Sequence, residues 1–220
     1  MNQKIMEKVI RIISREVKTF QEPAVTAIAE MTQHDPYRVL VSCLLSLRTK
    51  DETTAAASAR LFRLAVTPEQ MVMLDKKQIE NAIYPVGFYR VKAENILALS
   101  RTLLDRHHGK VPGTLEELLQ LKGVGRKTAN IVLTYGFQDP SGLAVDVHVH
   151  VIANRLGWVK TNTPEQTEMA LRSTLPKKYW PMINDFFVQF GQHVCLTLSP
   201  WCSRCAVAAF CPRAGVKRNR

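Results

Sequence analysis

Apolar residues recur at helical spacing along almost the whole chain. Ile5, Val9, Ile12, Ile13 and Val17 fall on one side of a helix and predict an amphipathic segment over residues 4–18. Asp35-Pro36 offers a cap and a first-turn proline to a helix reaching about Ser46, which is apolar nearly all round and belongs at the centre of a core. Leu47-Arg48-Thr49-Lys50-Asp51 interrupts it, and Asp51 is the expected cap of an alanine-rich helix from Glu52 to about Leu64. Thr67-Pro68-Glu69 opens a short helix, and Asp75 caps the next, which ends near Tyr84. Beyond the loop Pro85-Val86-Gly87-Phe88-Tyr89-Arg90, a helix from Lys92 to about His107 turns Ile96, Leu99, Leu103 and Leu104 inward. Further helices are expected over Asp146 to Leu156, Thr163 to Leu175 and Ile183 to Cys195. No period-two alternation, internal repeat or low-complexity tract interrupts the series, so the pattern predicts an all-α fold.

One stretch stands apart. Thr114 to Tyr135, TLEELLQLKGVGRKTANIVLTY, reads as helix, Gly-rich turn, helix. Thr114 and Glu117 have the spacing of a capping box, and Leu115, Leu118, Leu119 and Leu121 form an apolar stripe. Gly123 and Gly125 are both expected to take the positive φ that other residues resist, ending the first helix and reversing the chain. A second helix then begins near Arg126 and buries Ala129, Ile131, Val132 and Leu133. Such a turn presents backbone N–H groups to a phosphate oxygen. Lys127 falls in the first turn of the new helix, where the dipole, Arg126 and Lys122 oppose its protonation, and an amine placed that way suits nucleophilic catalysis. The plain alternative is a solvated lysine at a surface helix start, since G-x-G-x-K also occurs in unrelated loops.

Composition narrows the partner. The 220 residues hold 30 Lys plus Arg against 19 Asp plus Glu, a formal charge of +11, which points to a polyanion such as nucleic acid. A generally basic protein without such a partner is the competing reading. The length allows one domain or two small lobes. No 18-residue apolar run predicts a membrane span, and the first residues lack the apolar core of a signal peptide, so the cytoplasm is expected.

Three further features carry chemistry. LAVDVHV sets Asp146 between apolar residues just before a helix; an N-cap explains it, and a capping carboxylate is also held rigidly enough to stabilise nearby positive charge. His148 and His150 have too few metal-ligand neighbours in sequence and read as polar packing groups. Phe88 and Tyr89 are either core aromatics or apolar residues that enter a base stack. Among the cysteines, Cys43 lies in an apolar run and reads as a buried thiol. Cys195-x6-Cys202-x2-Cys205-x5-Cys211 has the density of a soft metal centre, either tetrahedral zinc or a [4Fe–4S] cluster. The single C-x2-C favours the cluster, and a cytoplasmic setting disfavours disulfides.

LKGVGRKTAN, then AVDVHV with Asp146 nineteen residues after Lys127, then the four cysteines, resemble the endonuclease III family of helix-hairpin-helix DNA glycosylases with a [4Fe–4S] cluster loop. The likeness covers nearly the whole chain: LLSLRTKD resembles that family's early helix–loop and GFYRVKAENI its later DNA-facing loop. The resemblance implies two lobes flanking DNA. Residues 25–137 would form a six-helix lobe with the hairpin, and residues 1–24 with 138–220 a second lobe with the cluster loop at 195–211. It implies a monomeric, nucleoid-associated base excision repair enzyme acting on duplex DNA that contains damaged bases or abasic sites. Lys127, neutral when it reacts, would attack the sugar C1′, displace an oxidised pyrimidine and form a Schiff base, and β-elimination would then cut the strand on the 3′ side. Asp146 would stabilise cationic character at the sugar. Arg48, Phe88, Tyr89, Gly123, Gly125, Arg126, Arg204 and Arg213 would meet DNA, with His148 a candidate at the substrate pocket. Cys195, Cys202, Cys205 and Cys211 would hold the cluster, which braces a basic loop and breaks no bond.

One departure stands out. The family commonly has Gln where this chain has Arg48, and Arg48 donates several hydrogen bonds but accepts none, so the opposite-base preference is expected to differ. Mismatch glycosylases of the same fold carry Ser or Tyr where Lys127 stands, which argues against that reading. A lyase acting mainly on abasic sites and a non-catalytic DNA-binding protein are the remaining alternatives, the last disfavoured by the presence of both Lys127 and Asp146.

Overall fold

The structure, a computed structural model, describes residues 3–220; Met1 and Asn2, with which the expected second lobe begins, lie outside the described residues. In chain order the helices are α1 (Gln3–Glu16), α2 (Ala24–Met31), α3 (Pro36–Ser46), α4 (Asp51–Phe62), α5 (Pro68–Val72), α6 (Lys76–Ile83), α7 (Tyr89–His107), α8 (Leu115–Leu118), α9 (Arg126–Ile131), α10 (Val147–Arg155), α11 (Pro164–Thr174) and α12 (Trp180–His193). The fold is all-α, with no strand among the described residues. The chain divides into two compact units, Ala24–Asp139 and the pair of segments Met1–Pro23 and Pro140–Arg220.

The unit Ala24–Asp139 is built round α3. Its Tyr37, Val39, Leu40, Val41, Ser42, Cys43, Leu44 and Leu45 are all buried. A helix apolar on every side has no face to give to water, so α2, α4, α7 and α9 pack over it. Each large side chain so covered contributes roughly 1.5–3 kcal/mol. Asp35 caps α3 by accepting from the Arg38 N–H at 2.8 Å, and the Tyr37 hydroxyl meets Ser100 Oγ of α7 at 2.6 Å. After α9 the chain widens into a π-helical turn, Val132–Gly136. Gly136 is seated on Pro36, where a Cβ would lie 2.9 Å from the proline Cα, and His34 Nδ1 bonds the Tyr135 carbonyl at 2.8 Å. The second half of the hairpin is thereby tied to the start of α3.

Several helix ends differ from expectation. Asp51 does not cap α4: it is the first helical residue, and Lys50 takes the cap position without a side-chain bond. An aspartate one residue further in still faces the positive end of the dipole, which is why the acidic residue lies within one position of the cap. α12 begins at Trp180 rather than Ile183 because Pro181 suits a first helical turn. In α1 the buried stripe is Met6, Val9, Ile10 and Ile13, while Ile5 stays 40% exposed.

The unit formed by Met1–Pro23 and Pro140–Arg220 packs α1, α10 and α12 around Ile10, Ile13, Val149, Ile152, Phe187 and Phe190. Trp158 and Phe187 meet with ring centroids 5.4 Å apart. The Trp180 indole N–H, buried with its ring, is satisfied by the Leu175 carbonyl at 2.9 Å.

A buried charge interrupts the apolar logic. Lys92 is 7% exposed, and its Nζ donates to the carbonyls of Leu45 at 2.8 Å and Leu47 at 2.6 Å and to Thr49 Oγ1 at 3.2 Å. These carbonyls close α3, where a helix leaves acceptors unpaired. Burial pulls the Lys92 ammonium down to about 8. An unfolded lysine titrates near ~10.4, so between the two values the unfolded chain holds a proton that the folded one has released, and the contribution of this group to stability rises with pH. Urea midpoints at about pH 7 and about pH 9.5 should show this rise, and Lys92→Met should flatten it relative to wild type.

Candidate active site

The hairpin rests on two different glycine geometries. Thr114 Oγ1 accepts from the Glu117 N–H at 3.3 Å and donates to the Glu117 carboxylate at 2.7 Å, so α8 is a single turn opened by this pair. Leu118 and Leu121 are buried, while Leu119 lies 37% exposed. Gly123 has φ +84°, the left-handed bend that stops the first helix. Gly125 does not share it: its φ of −92° is extended backbone at the N-cap of α9. A Cβ on Gly125 would meet nothing within 4 Å, so its lack of a side chain matters for what approaches from outside rather than for the bend.

Lys127 is the second residue of α9, half-buried, with Arg126 before it. Beneath lies Cys43 of α3, whose thiol burial pushes up to about 12 while the Lys127 charge acts in the opposite direction. Asn130, fully buried, donates to the Arg126 carbonyl at 3.0 Å and stiffens the turn that carries the amine.

Also on this unit lie Arg48, Phe88 and Tyr89. Arg48 and Phe88 are exposed and both adopt left-handed backbone, at φ +53° and +58°. The Arg48 guanidinium stands 5.8 Å from the centroid of the Phe88 ring. Tyr89 is no loop residue; it opens α7 and packs edge-on against Tyr84 with centroids 5.4 Å apart. The two neighbouring aromatics are therefore divided, one packed and one presented.

On the other unit, Asp146 is the N-cap of α10, with Oδ1 accepting from the N–H groups of His148 at 2.8 Å and Val149 at 3.0 Å. The buried segment Leu143, Ala144 and Val145 leads into it, and Asn184 of α12 holds the Ala144 carbonyl at 3.2 Å. The carboxylate is held through Oδ1, and the chain leading into it is held separately by Asn184. His148 lies against Gly191, where a Cβ would fall 2.4 Å from its Nδ1. His150 bonds Thr167 Oγ1 at 2.7 Å.

Cys195, Cys202, Cys205 and Cys211 carry free thiols and line one mostly apolar cavity with Ile152, Phe190 and Val207. Burial raises the thiols of Cys195 and Cys211 and pushes that of Cys205 up to about 11, so these sulfurs ionise readily only when a cation joins them. Among the described residues, no three His, Cys, Asp or Glu side chains are arranged to hold a single metal ion. Arg155, 8% exposed, binds the loop from beneath, donating to Cys195 Sγ at 3.3 Å and to the carbonyls of Leu196 at 2.8 Å and Thr197 at 2.5 Å. Its own carbonyl accepts from Cys211 Sγ at 3.3 Å. Arg204 stacks its guanidinium 4.5 Å from the Trp201 ring centroid and is exposed, as is Arg213.

Lys92 and Arg155 join the candidate residues only through the structure. Both are charged residues at inward positions of an apolar stripe, Lys92 in register with Ile96, Leu99 and Leu103 and Arg155 three residues after Ile152. That mismatch is the signal that marks them.

A helical hairpin thus carries a lysine at the start of its second helix, and a four-cysteine loop lies near the C-terminus. The family described as HhH-GPD superfamily base excision DNA repair protein matches residues 41–177. Endonuclease III of Thermotoga maritima is 50% identical over 177 residues, which are 80% of this chain and 83% of that protein. Endonuclease III homolog 2, chloroplastic, of Arabidopsis thaliana is 45% identical over 81% of this chain, which spans 48% of that longer protein. A solved non-covalent endonuclease III–DNA complex superposes with a TM-score of 0.82 at 27% identity, covering 97% of this chain and 96% of that one. A trapped endonuclease III–DNA covalent intermediate gives the same TM-score of 0.82 at 27% identity, covering 97% of each chain. The chain belongs to the HhH-GPD superfamily and, within it, to the endonuclease III family.

The two glycines make separable predictions. Gly123→Ala should cost about 1 kcal/mol in urea denaturation, because alanine resists the left-handed bend. Gly125→Ala should stay within about 0.5 kcal/mol of wild type, while weakening duplex binding in a filter or anisotropy assay.

Proposed function

We propose that this chain is a bifunctional base excision repair enzyme that removes oxidised pyrimidines from duplex DNA and then cuts the strand at the resulting abasic site. The observation that carries this is Lys127, an amine fixed by a buried helix turn directly after a glycine bend. Its family includes a protein solved as a trapped covalent intermediate with DNA.

In this reading the damaged nucleotide leaves the stack. The Lys127 amine, deprotonated, attacks C1′, and the bond from C1′ to the base nitrogen breaks as the base departs with a proton. The sugar ring opens to a protonated Schiff base on Nζ. Loss of a proton from C2′ then expels the 3′ phosphate by β-elimination, and water releases the lysine. Asp146 stabilises the cationic character that develops at the sugar and assists proton movement. Gly123, Gly125 and Arg126 bring backbone and charge to a phosphate. Arg48 and Phe88 enter the space that the nucleotide vacates, and Arg204 and Arg213 meet the backbone further along. The work is placed at the nucleoid, and one copy of the chain suffices. No helix among the described residues is long and apolar enough to cross a membrane.

The four thiols fit a [4Fe–4S] cluster: they share one apolar cavity, none is in a disulfide, and an arginine faces one of the sulfurs. Cys195, Cys202, Cys205 and Cys211 would hold it. When bound it supplies structural bracing rather than bond breaking, keeping the basic loop in register.

Borohydride trapping tests the amine. With lesion-bearing duplex, wild type should give a covalent adduct, and Lys127→Gln should abolish it and slow cleavage by a factor on the order of 10³ or more. Asp146→Asn keeps the helix cap, so it should preserve the melting temperature while slowing excision by about 10²-fold. An undiminished adduct with Lys127→Gln overturns the mechanism. Protein purified without oxygen should contain iron and inorganic sulfide in equal amounts, absorb broadly in the visible and lose its folded loop on chelation. A colourless zinc protein would refute the cluster.

A further inference from the structure

Two exposed side chains that the proposed function sends into DNA come from different segments, the break after α3 and the turn before α7. Each sits on left-handed backbone that a residue with a Cβ seldom adopts: Arg48 at φ +53° and Phe88 at φ +58°. Such conformations persist only where the surroundings impose them. The surroundings here share one node. The Lys92 ammonium holds Leu45 and Leu47 by their carbonyls and Thr49 by its hydroxyl, so it fixes the backbone on both sides of Arg48. The same Thr49 hydroxyl accepts from the Gly87 N–H at 3.3 Å, the residue before Phe88. Gly87 in turn lies so close to the Arg48 carbonyl that a Cβ would come within 2.9 Å of it. The far side of the second segment is pinned as well, because Arg60 of α4 donates to the Ala82 carbonyl at 2.7 Å and to that of Tyr84, and Val86 is buried.

We propose that Lys92 is a positioning residue which, through Thr49 and Gly87, locks the Arg48 and Phe88 segments into one probe assembled before DNA arrives. This rests on the reading that Arg48 and Phe88 engage the opened duplex. Lys92 touches neither substrate nor the reacting amine. Its three donors meet three acceptors, two of them at the end of the helix that also lies beneath Lys127. A probe held in its bound shape loses less conformational freedom on insertion, so its assembly acts on affinity for intact lesion duplex. It has no bearing on single-stranded abasic DNA, which has no stack to open.

The experiment uses the full chain with its cysteine loop loaded. Lys92→Met should raise KM for excision from lesion duplex about tenfold with kcat nearly kept, the scale of one lost preorganised contact. Cleavage of a single-stranded abasic oligonucleotide should stay within about twofold of wild type. Thr49→Val, a milder change, should act in the same direction, and Thr49→Ser, which keeps the hydroxyl, should restore wild-type behaviour. Amide hydrogen exchange on the free protein should show residues 47–50 and 85–89 losing protection together in Lys92→Met. Exchange that rises in only one segment, or effects of Lys92→Met and Arg48→Ala that add in full, would overturn the proposal. Equal losses on duplex and single strand would reduce Lys92 to a general stabiliser and also overturn it. If Arg48→Ala and Phe88→Ala both excise from duplex at the wild-type rate, the underlying DNA-contact reading fails, a result distinct from the exchange data.

Discussion

The burial of α3 on every side is the constraint from which the Ala24–Asp139 unit follows. A helix with no solvent face forces its neighbours to close around it. α9 lies on it with Lys127, the π-helical turn is seated on its first residue through Gly136, and Lys92 of α7 seals its last carbonyls. Both ends of one apolar rod thus carry attachments from other segments. A cavity opened in α3 would disturb all of these together, because packed interiors transmit displacement rather than absorb it.

The second unit fixes its groups by a different device. Asp146 gains its rigidity from satisfying two backbone donors and from the buried chain that precedes it. The cysteine loop gains its shape from Arg155, which spans from Cys195 to Thr197 with its side chain and reaches Cys211 with its carbonyl. In both places a charged side chain bonds backbone atoms. Such contacts are directional and survive high ionic strength better than exposed ion pairs do.

Most helices were legible because capping side chains and apolar spacing act locally. Asp35, Thr67, Asp75, Thr163 and Asp146 all cap the helices that they precede. Asp51 misled by one position, since an acidic residue is favourable both at the cap and just inside it. Gly123 and Gly125 are alike in sequence, and only the packing of the turn decides which of them bends. Adjacency in sequence cannot show that a helix starts between Phe88 and Tyr89. Lys92 and Arg155 are hidden for a stronger reason: most of their partners are main-chain carbonyls distant in sequence, and carbonyls leave no trace in residue identity.

Cys43 carries one more consequence. An abasic sugar opens to an aldehyde, and a thiolate beside the amine would compete with it for that carbon. In the proposed reaction, the burial of this sulfur inside α3, which also raises its thiol, leaves the nitrogen without a softer rival.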